Sequence, residues 1–169
     1  MNNQDKHEAF LAVVQAHKGI LYKIANSYCR NADDRQDLIQ EIILQLWLSF
    51  DRYSGQFKLS TWVYRIALNT TISSYRKYSR KSKISSELNV NTLDFADSMA
   101  SPETTENLHF LQHFIDSLNH FDRALMLLYL EEKTQAEMAE ILGITITNVA
   151  TRISRIKQKL KQKFSMLNS

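Results

Sequence analysis

Residues 134–160 read TQAEMAEILGITITNVATRISRIKQKL, and this stretch decides the fold. Thr134 followed three positions later by Glu137 fits a capping box, in which the hydroxyl meets the Glu137 amide and the carboxylate reaches back, so a helix starts here. The helix is short, because Gly143 stands where a left-handed residue is needed to stop one helix and aim the next. Ala139, one turn earlier, lets the two helices cross closely, while Met138, Leu142, Ile144 and Val149 supply the small core between them. Alanine, then glycine, then valine in this register is helix-turn-helix spacing.

The second helix of the pair is two-sided. At about 100° per residue, Val149, Ile153, Ile156, Leu160 and Phe164 fall in an arc of roughly 80° and form the core stripe. The opposite arc carries Thr147, Asn148, Thr151, Arg152, Ser154, Arg155, Gln158 and Lys159, short and forked polar groups suited to base edges and phosphates. Glutamate, usual on a merely solvated face, is absent from it. The first turns are expected to enter a DNA major groove, with Asn148, Thr151, Arg152 and Arg155 as base or backbone readers. Thr147, Gln158 and Lys159 share the DNA-facing arc, and the later lysines sit on phosphates.

Working outward, the whole chain has 169 residues, 44% hydrophobic and 23% charged, which excludes a disordered tail and allows two small domains. Three glycines and one proline are too few turn-formers for a sandwich or barrel, so the expected fold class is all-α. The single cysteine, Cys29, excludes an internal disulfide or a cysteine-built metal cage and suits a reducing compartment. No window approaches the roughly 18 uninterrupted apolar residues of a membrane span, and the N-terminus lacks a basic and apolar leader. A cytoplasmic protein with no membrane insertion is expected.

The net charge of +3 conceals strong segregation. Residues 61–83 carry Arg65, Arg76, Lys77, Arg80, Lys81 and Lys83 without an acid, and 141–169 carry Arg152, Arg155, Lys157, Lys159, Lys161 and Lys163 without an acid. Between them, 84–110 carries Glu87, Asp94, Asp97, Glu103 and Glu106 and no lysine or arginine. Two basic blocks separated by an acidic one point to a polyanionic partner, nucleic acid.

Three expected domains of organisation follow: a helical bundle over 1–83, a flexible acidic linker over 84–101, and the helix-turn-helix domain over 102–169. The bundle begins with a helix or helix pair over 7–28, continues with a helix from about Asp34 to Phe50, and crosses a loop containing Gly55. It ends with a helix capped by Ser60 or Thr61 and reaching about Tyr78. Ser101-Pro102-Glu103 starts the second domain, serine as cap and proline at the first helical position. Its segments are expected near 103–119, 121–130, 134–142 and 146–164.

The second helix of the bundle buries Leu38, Ile39, Ile42, Ile43, Leu46, Trp47 and Phe50. Leu44 and Leu48 project opposite that stripe beside Asp37 and Glu41, an apolar pair edged by acids that is expected to dock on a partner helix of a basic protein. The third helix divides into Val63, Tyr64, Ala67, Leu68, Thr71, Tyr75 and Tyr78 on one side and Trp62, Arg65, Asn69, Ile72, Ser73 and Arg76 on the other. With Lys77 and the tract that follows, the second side offers phosphate neutralisation, a stacking ring and amide hydrogen bonds, as single-stranded DNA requires.

The chain resembles an extracytoplasmic-function (ECF) sigma factor of bacterial RNA polymerase. DLIQEIILQLWLSFDRY (37–53) resembles the family's core-polymerase helix, and KLSTWVYRIALNTTISSYRK (58–77) its promoter-melting and −10-reading segment. SPE (101–103) resembles the start of its second domain, and 134–160 its −35-reading helix-turn-helix. The resemblance implies clamp contacts at Asp37, Gln40 and Glu41, and a melted-strand contact at Asn69. It further implies core RNA polymerase, through the clamp of the largest subunit and the flap, and promoter DNA, both duplex and melted, as partners. An anti-sigma factor is a common further partner in the family. Ala150 stands where the family usually has a basic residue after the valine. The acidic linker, by mimicking nucleic acid, is expected to suppress DNA binding by the free factor.

The competing reading is a stand-alone helix-turn-helix regulator, for which the basic third helix and acidic-apolar second helix have no use. No nucleophile–base constellation marks an enzyme. His109 and His113 lie one turn apart, but without a third ligand no metal and no cofactor is expected. Cys29 reads as a buried small hydrophobe.

Overall fold

The computed structural model describes residues 2–81 and 101–169, with side chains over 2–77 and 101–169. Among the described residues the chain is all-helical: α1 (Asn3–Tyr28), α2 (Ala32–Ser49), a short 3-10 turn (Phe50–Arg52), α3 (Leu59–Lys81), α4 (Pro102–Ser117), α5 (His120–Leu130), α6 (Gln135–Leu142) and α7 (Ile146–Leu167). It forms two compact units, Met1–Asn91 and Thr92–Ser169. The expected linker, 84–101, lies outside the described residues save for Ser101, as do Tyr78 and the lysines and arginine of 80–83 as side chains. No helix among the described residues is long and apolar enough to cross a membrane.

In the N-terminal unit α1 is one continuous helix rather than a pair, burying Phe10, Leu21, Ile24, Ala25 and Tyr28 along one stripe. α2 opens where the Asn31 side chain accepts from the Asp34 N–H at 2.7 Å, and Asp33 and Asp34 in the first turn complement the helix dipole. Leu38, Ile42 and Leu46 then face α1 and α3. The third helix starts at Leu59, because the Lys58 carbonyl already accepts from the Trp62 N–H at 3.1 Å. Ser60 and Thr61, expected as caps, therefore lie inside its first turn, with Thr61 buried. Beyond them Val63, Tyr64, Ala67, Leu68 and Thr71 close the core.

In the C-terminal unit Ser101 accepts from the Thr104 N–H and Pro102 occupies the first turn of α4, as the sequence predicts. Asn119, Thr134 and Thr145 cap α5, α6 and α7 in the same way. Only half of the expected capping box at α6 forms: the Thr134 hydroxyl accepts from the Glu137 N–H, but the Glu137 carboxylate lies 3.9 Å from the Lys133 ammonium. The core joins Ala124, Leu125 and Leu128 of α5 to Met138, Ile141 and Leu142 of α6 and Val149, Ile153 and Ile156 of α7.

Two left-handed residues set the angles between these helices. Gly143 has φ 69° and ψ 35°, and the Gly143 and Ile144 amides both return to the Ala139 carbonyl, at 2.9 and 3.2 Å. Glu132, at φ 58°, does the same for α5, with the Lys133 amide returning to Leu128 at 3.1 Å. A methyl group added at Gly143 meets no atom within 4 Å, so only the backbone conformation resists it. Gly143→Ala should accordingly lower the stability of the C-terminal unit by about 1–2 kcal/mol, and Glu132→Gly should raise it by up to about 1 kcal/mol. Urea unfolding followed by circular dichroism checks both signs; equal midpoints for all three proteins would contradict them.

Candidate functional site

α2 turns its outer face to solvent, with Asp37, Gln40 and Glu41 exposed and Leu44 and Leu48 exposed at 48% and 60%. Two leucines this open on an otherwise well-packed helix form the apolar centre of a polar-rimmed patch. Glu41 stands at the edge nearest α3, where its carboxylate accepts from the Gln45 amide at 3.1 Å.

From that edge the surface drops into a cleft of about 350 Å³, with Glu41 and Gln45 on the α2 wall and Asn69, Ser73 and Lys77 on the α3 wall. A second cleft of about 520 Å³ runs on toward Asp34, Asp37, Cys29 and Tyr75. The residues expected to face polymerase and those expected to face the melted strand thus meet along one seam. The α2 wall presents carboxylates, which accept hydrogen bonds only, beside the Gln45 amide; the α3 wall presents an amide, a hydroxyl and an ammonium.

The lower end of the seam is fixed by Tyr75, whose hydroxyl donates to the Tyr28 carbonyl. With that hydrogen committed, the Cys29 thiol, 3.1 Å away, donates to the phenolic oxygen. Burial pushes the Cys29 thiol above its ordinary range, aided by Asp34 and opposed by the Tyr75 hydrogen bond and by Arg35.

Two residues expected on the polar side of α3 are inside. Trp62 is 7% exposed and packs against Tyr53 and Phe50, at ring-centroid distances of 5.3 and 6.3 Å. Ile72 is 6% exposed. For Trp62 the cause is the 3-10 turn and the loop after it, which fold Phe50 and Tyr53 over the start of α3; the Tyr53 hydroxyl donates to the Phe57 carbonyl at 2.6 Å and closes that loop. Arg65 lies with its guanidinium 5.5 Å from the Phe57 ring, while Asn69, Ser73, Arg76 and Lys77 are at the surface or half-exposed.

On α7, Thr147, Asn148, Thr151, Arg155, Gln158 and Lys159 are exposed on one face, as expected. The Thr151 hydroxyl donates to the Thr147 carbonyl at 2.9 Å. Arg152 departs from the expectation of an outward reader. Its guanidinium donates to Asp122 at 3.0 Å and to Asn148 at 3.2 Å and lies 4.7 Å from the Phe121 ring centroid. Asp122 and Phe121 went unread in the sequence because they stand some thirty residues away on α5, where Asp122 follows Asn119 by three and looks only like part of a cap. His109 and His113 are exposed, and no group of three His, Cys, Asp or Glu side chains gathers among the described residues.

Comparison with known proteins gives a consistent result. Residues 13–81 match the Sigma-70 region 2 family and residues 111–160 the Sigma-70 region 4 family. The chain is similar to RNA polymerase sigma factor SigZ of Bacillus subtilis, 30% identical over 128 residues that cover 75% of this chain and 70% of SigZ. It is also similar to the ECF RNA polymerase sigma factor SigW of the same organism, 26% identical over 165 residues, 92% of this chain and 88% of SigW. Among solved structures, the sigma factor RpoE in complex with the anti-sigma factor NepR from Bartonella quintana shares the fold with a TM-score of 0.68 at 21% identity, covering 96% of this chain and 98% of RpoE.

The Cys29 geometry makes a pH prediction. The folded chain holds this proton to higher pH than the unfolded chain does, so the associated stability is whole below the ordinary thiol range and is lost as pH rises toward the folded value. Between about pH 8 and 10 the urea midpoint of the wild type should fall relative to that of Cys29→Ala. Parallel pH profiles for the two proteins would refute it.

Proposed function

The chain belongs to the extracytoplasmic-function sigma factors of RNA polymerase, and from that premise we propose how its two units divide the work of initiation. The N-terminal unit docks on the clamp of the largest polymerase subunit through Asp37, Gln40, Glu41, Leu44 and Leu48 and holds the melted −10 strand along Asn69, Ser73, Arg76 and Lys77, with Arg65 at its margin. The C-terminal unit, resting on the flap, reads the −35 element as duplex through Thr147, Asn148, Thr151, Arg155, Gln158 and Lys159. An anti-sigma factor, the partner with which RpoE was solved, acts by covering the α2 face.

The observation that carries this reading is the seam in the N-terminal unit. α2 exposes two leucines rimmed by acids, and within one turn the same surface becomes a cleft with Glu41 and Gln45 on its α2 wall and an amide, a hydroxyl and an ammonium on its α3 wall. A face for a protein and a face for a nucleic-acid strand, side by side on one rigid three-helix body, is what coupling polymerase to strand opening requires. A stand-alone repressor has use for neither.

Strand opening in this scheme needs no fuel. A base that leaves the stack spontaneously is trapped beside Asn69, and affinity for the displaced strand offsets an unstacking cost of a few kcal/mol. On α7 the electrostatic term comes from a face without a carboxylate over 141–169, which neutralises phosphates without repelling them.

Transcription from fragmented host DNA by core polymerase with and without the protein tests the assignment, by mapping the 5′ ends of the products. Discrete starts preceded by a shared two-part motif are expected; no transcripts together with no core binding would favour the stand-alone regulator. Within the same assay, Asp37→Lys combined with Glu41→Lys should weaken core binding by about ten-fold or more through charge reversal while leaving helix content unchanged. Arg155→Ala should cost about 1–3 kcal/mol of discrimination at one −35 base pair, or weaken all sequences equally if the guanidinium serves a phosphate.

A further inference from the structure

Arg152 donates and cannot accept, and that limits what its neighbours can do. Its Nε–H points at Asn148, so the atom that Asn148 turns toward it, 3.2 Å away, is the amide oxygen. The same guanidinium is anchored from α5: Asp122 Oδ1 accepts from it at 3.0 Å, and the Phe121 ring lies 4.7 Å beneath it. Asp122 is itself held, its other oxygen accepting from the Asn119 amide at 3.1 Å, and its side chain is only 15% exposed. A chain of three hydrogen bonds through four residues therefore runs from the α5 cap to the first turn of α7.

Its consequence falls on Asn148, an exposed residue in the first turn of α7. An asparagine free to orient reads adenine with both halves of its amide, the NH₂ donating to N7 and the oxygen accepting from N6. With the oxygen drawn along the helix toward Arg152, the half left facing outward is the NH₂, which only donates. In the major groove guanine offers two acceptors, N7 and O6, and no donor, whereas thymine offers the single acceptor O4 beside its methyl group and adenine sets a donor next to its N7.

We propose that the Asp122–Arg152–Asn148 chain sets the base preference at one −35 position, making Asn148 a reader of guanine in place of adenine. Asn148 is the specificity-determining residue; Arg152 and Asp122 are positioning residues that act through it. This rests on the reading of α7 as the −35 helix. It also gives Arg152, which looks like a base reader in the sequence, a different part in the same recognition.

The test uses holoenzyme assembled from the full chain and core polymerase, with a duplex library randomised across the −35 element and sequenced after binding. In the wild type, the position whose preference Asn148→Ala erases should select guanine over adenine by about ten-fold. Arg152→Met keeps an unbranched stem over Phe121 and removes every donor; at that single position the guanine-to-adenine ratio should fall to near one or invert, while the other positions keep theirs and report an intact fold. Asp122→Asn preserves an acceptor for Arg152 and should retain the guanine preference. The proposal is overturned if Arg152→Met leaves the ratio unchanged, if Asn148→Ala erases no position, or if the erased position selects adenine in the wild type. Should Arg155→Ala and Thr151→Ala also move no position, the assignment of α7 to the −35 element falls as well, which separates the two failures.

Discussion

The side-chain cap on a helix N-terminus is the interaction on which the rest of this structure depends. Each helix begins with N–H groups that have no partner inside the helix, and a chain with three glycines and one proline has few other means of punctuation. Asn31, Ser101, Asn119, Thr134 and Thr145 each place a side-chain oxygen on the N–H three residues on, so that α2, α4, α5, α6 and α7 all start by the same device. At about 1 kcal/mol apiece such caps matter most where the helix is short. α6 has eight residues, below the length at which an isolated helix holds in water, and it exists because Thr134 starts it, Gly143 stops it and four buried side chains hold it down. The direction of α7 follows from that stop.

Both candidate surfaces come from the way neighbouring helices modify one another. α2 alone is an amphipathic helix with two stray leucines; only beside α3 does its Glu41 edge become one wall of a cleft. α7 alone is a basic helix with an apolar stripe; only beside α5 is one of its arginines drawn into an ion pair and over a ring. In both places the chemistry offered to a partner is decided across a seam between elements rather than along one of them.

That division also explains what the sequence made legible. Helix limits in the C-terminal unit were readable because caps and the Gly143 stop are local, and the α7 stripe of Val149, Ile153 and Ile156 emerges buried as its periodicity requires. The five α2 residues expected on a docking face all reach the surface for the same reason. Trp62 and Ile72 were misplaced because a helical wheel gives angles without saying how many neighbours cover them; α3 is covered by α1, α2 and the folded-over turn at Phe50–Arg52, so its buried arc is wider than a two-sided division allows. The bracing of Arg152 was not legible because an unpaired arginine and one held by Asp122 differ only through a residue on another helix. The half-formed capping box has a similar origin, since Lys133, just before the cap, competes for the Glu137 carboxylate.

The burial of Trp62 carries one further consequence, for how the molecule is observed. The two tryptophans, Trp47 and Trp62, both belong to the N-terminal unit, each against aromatic neighbours, whereas the C-terminal unit holds a single tyrosine, Tyr129, among its described residues. Light absorbed and re-emitted by indole therefore reports on one unit alone. Helical circular dichroism reports on both, so the gap between the two signals during unfolding measures directly how far the units melt as one body or as two.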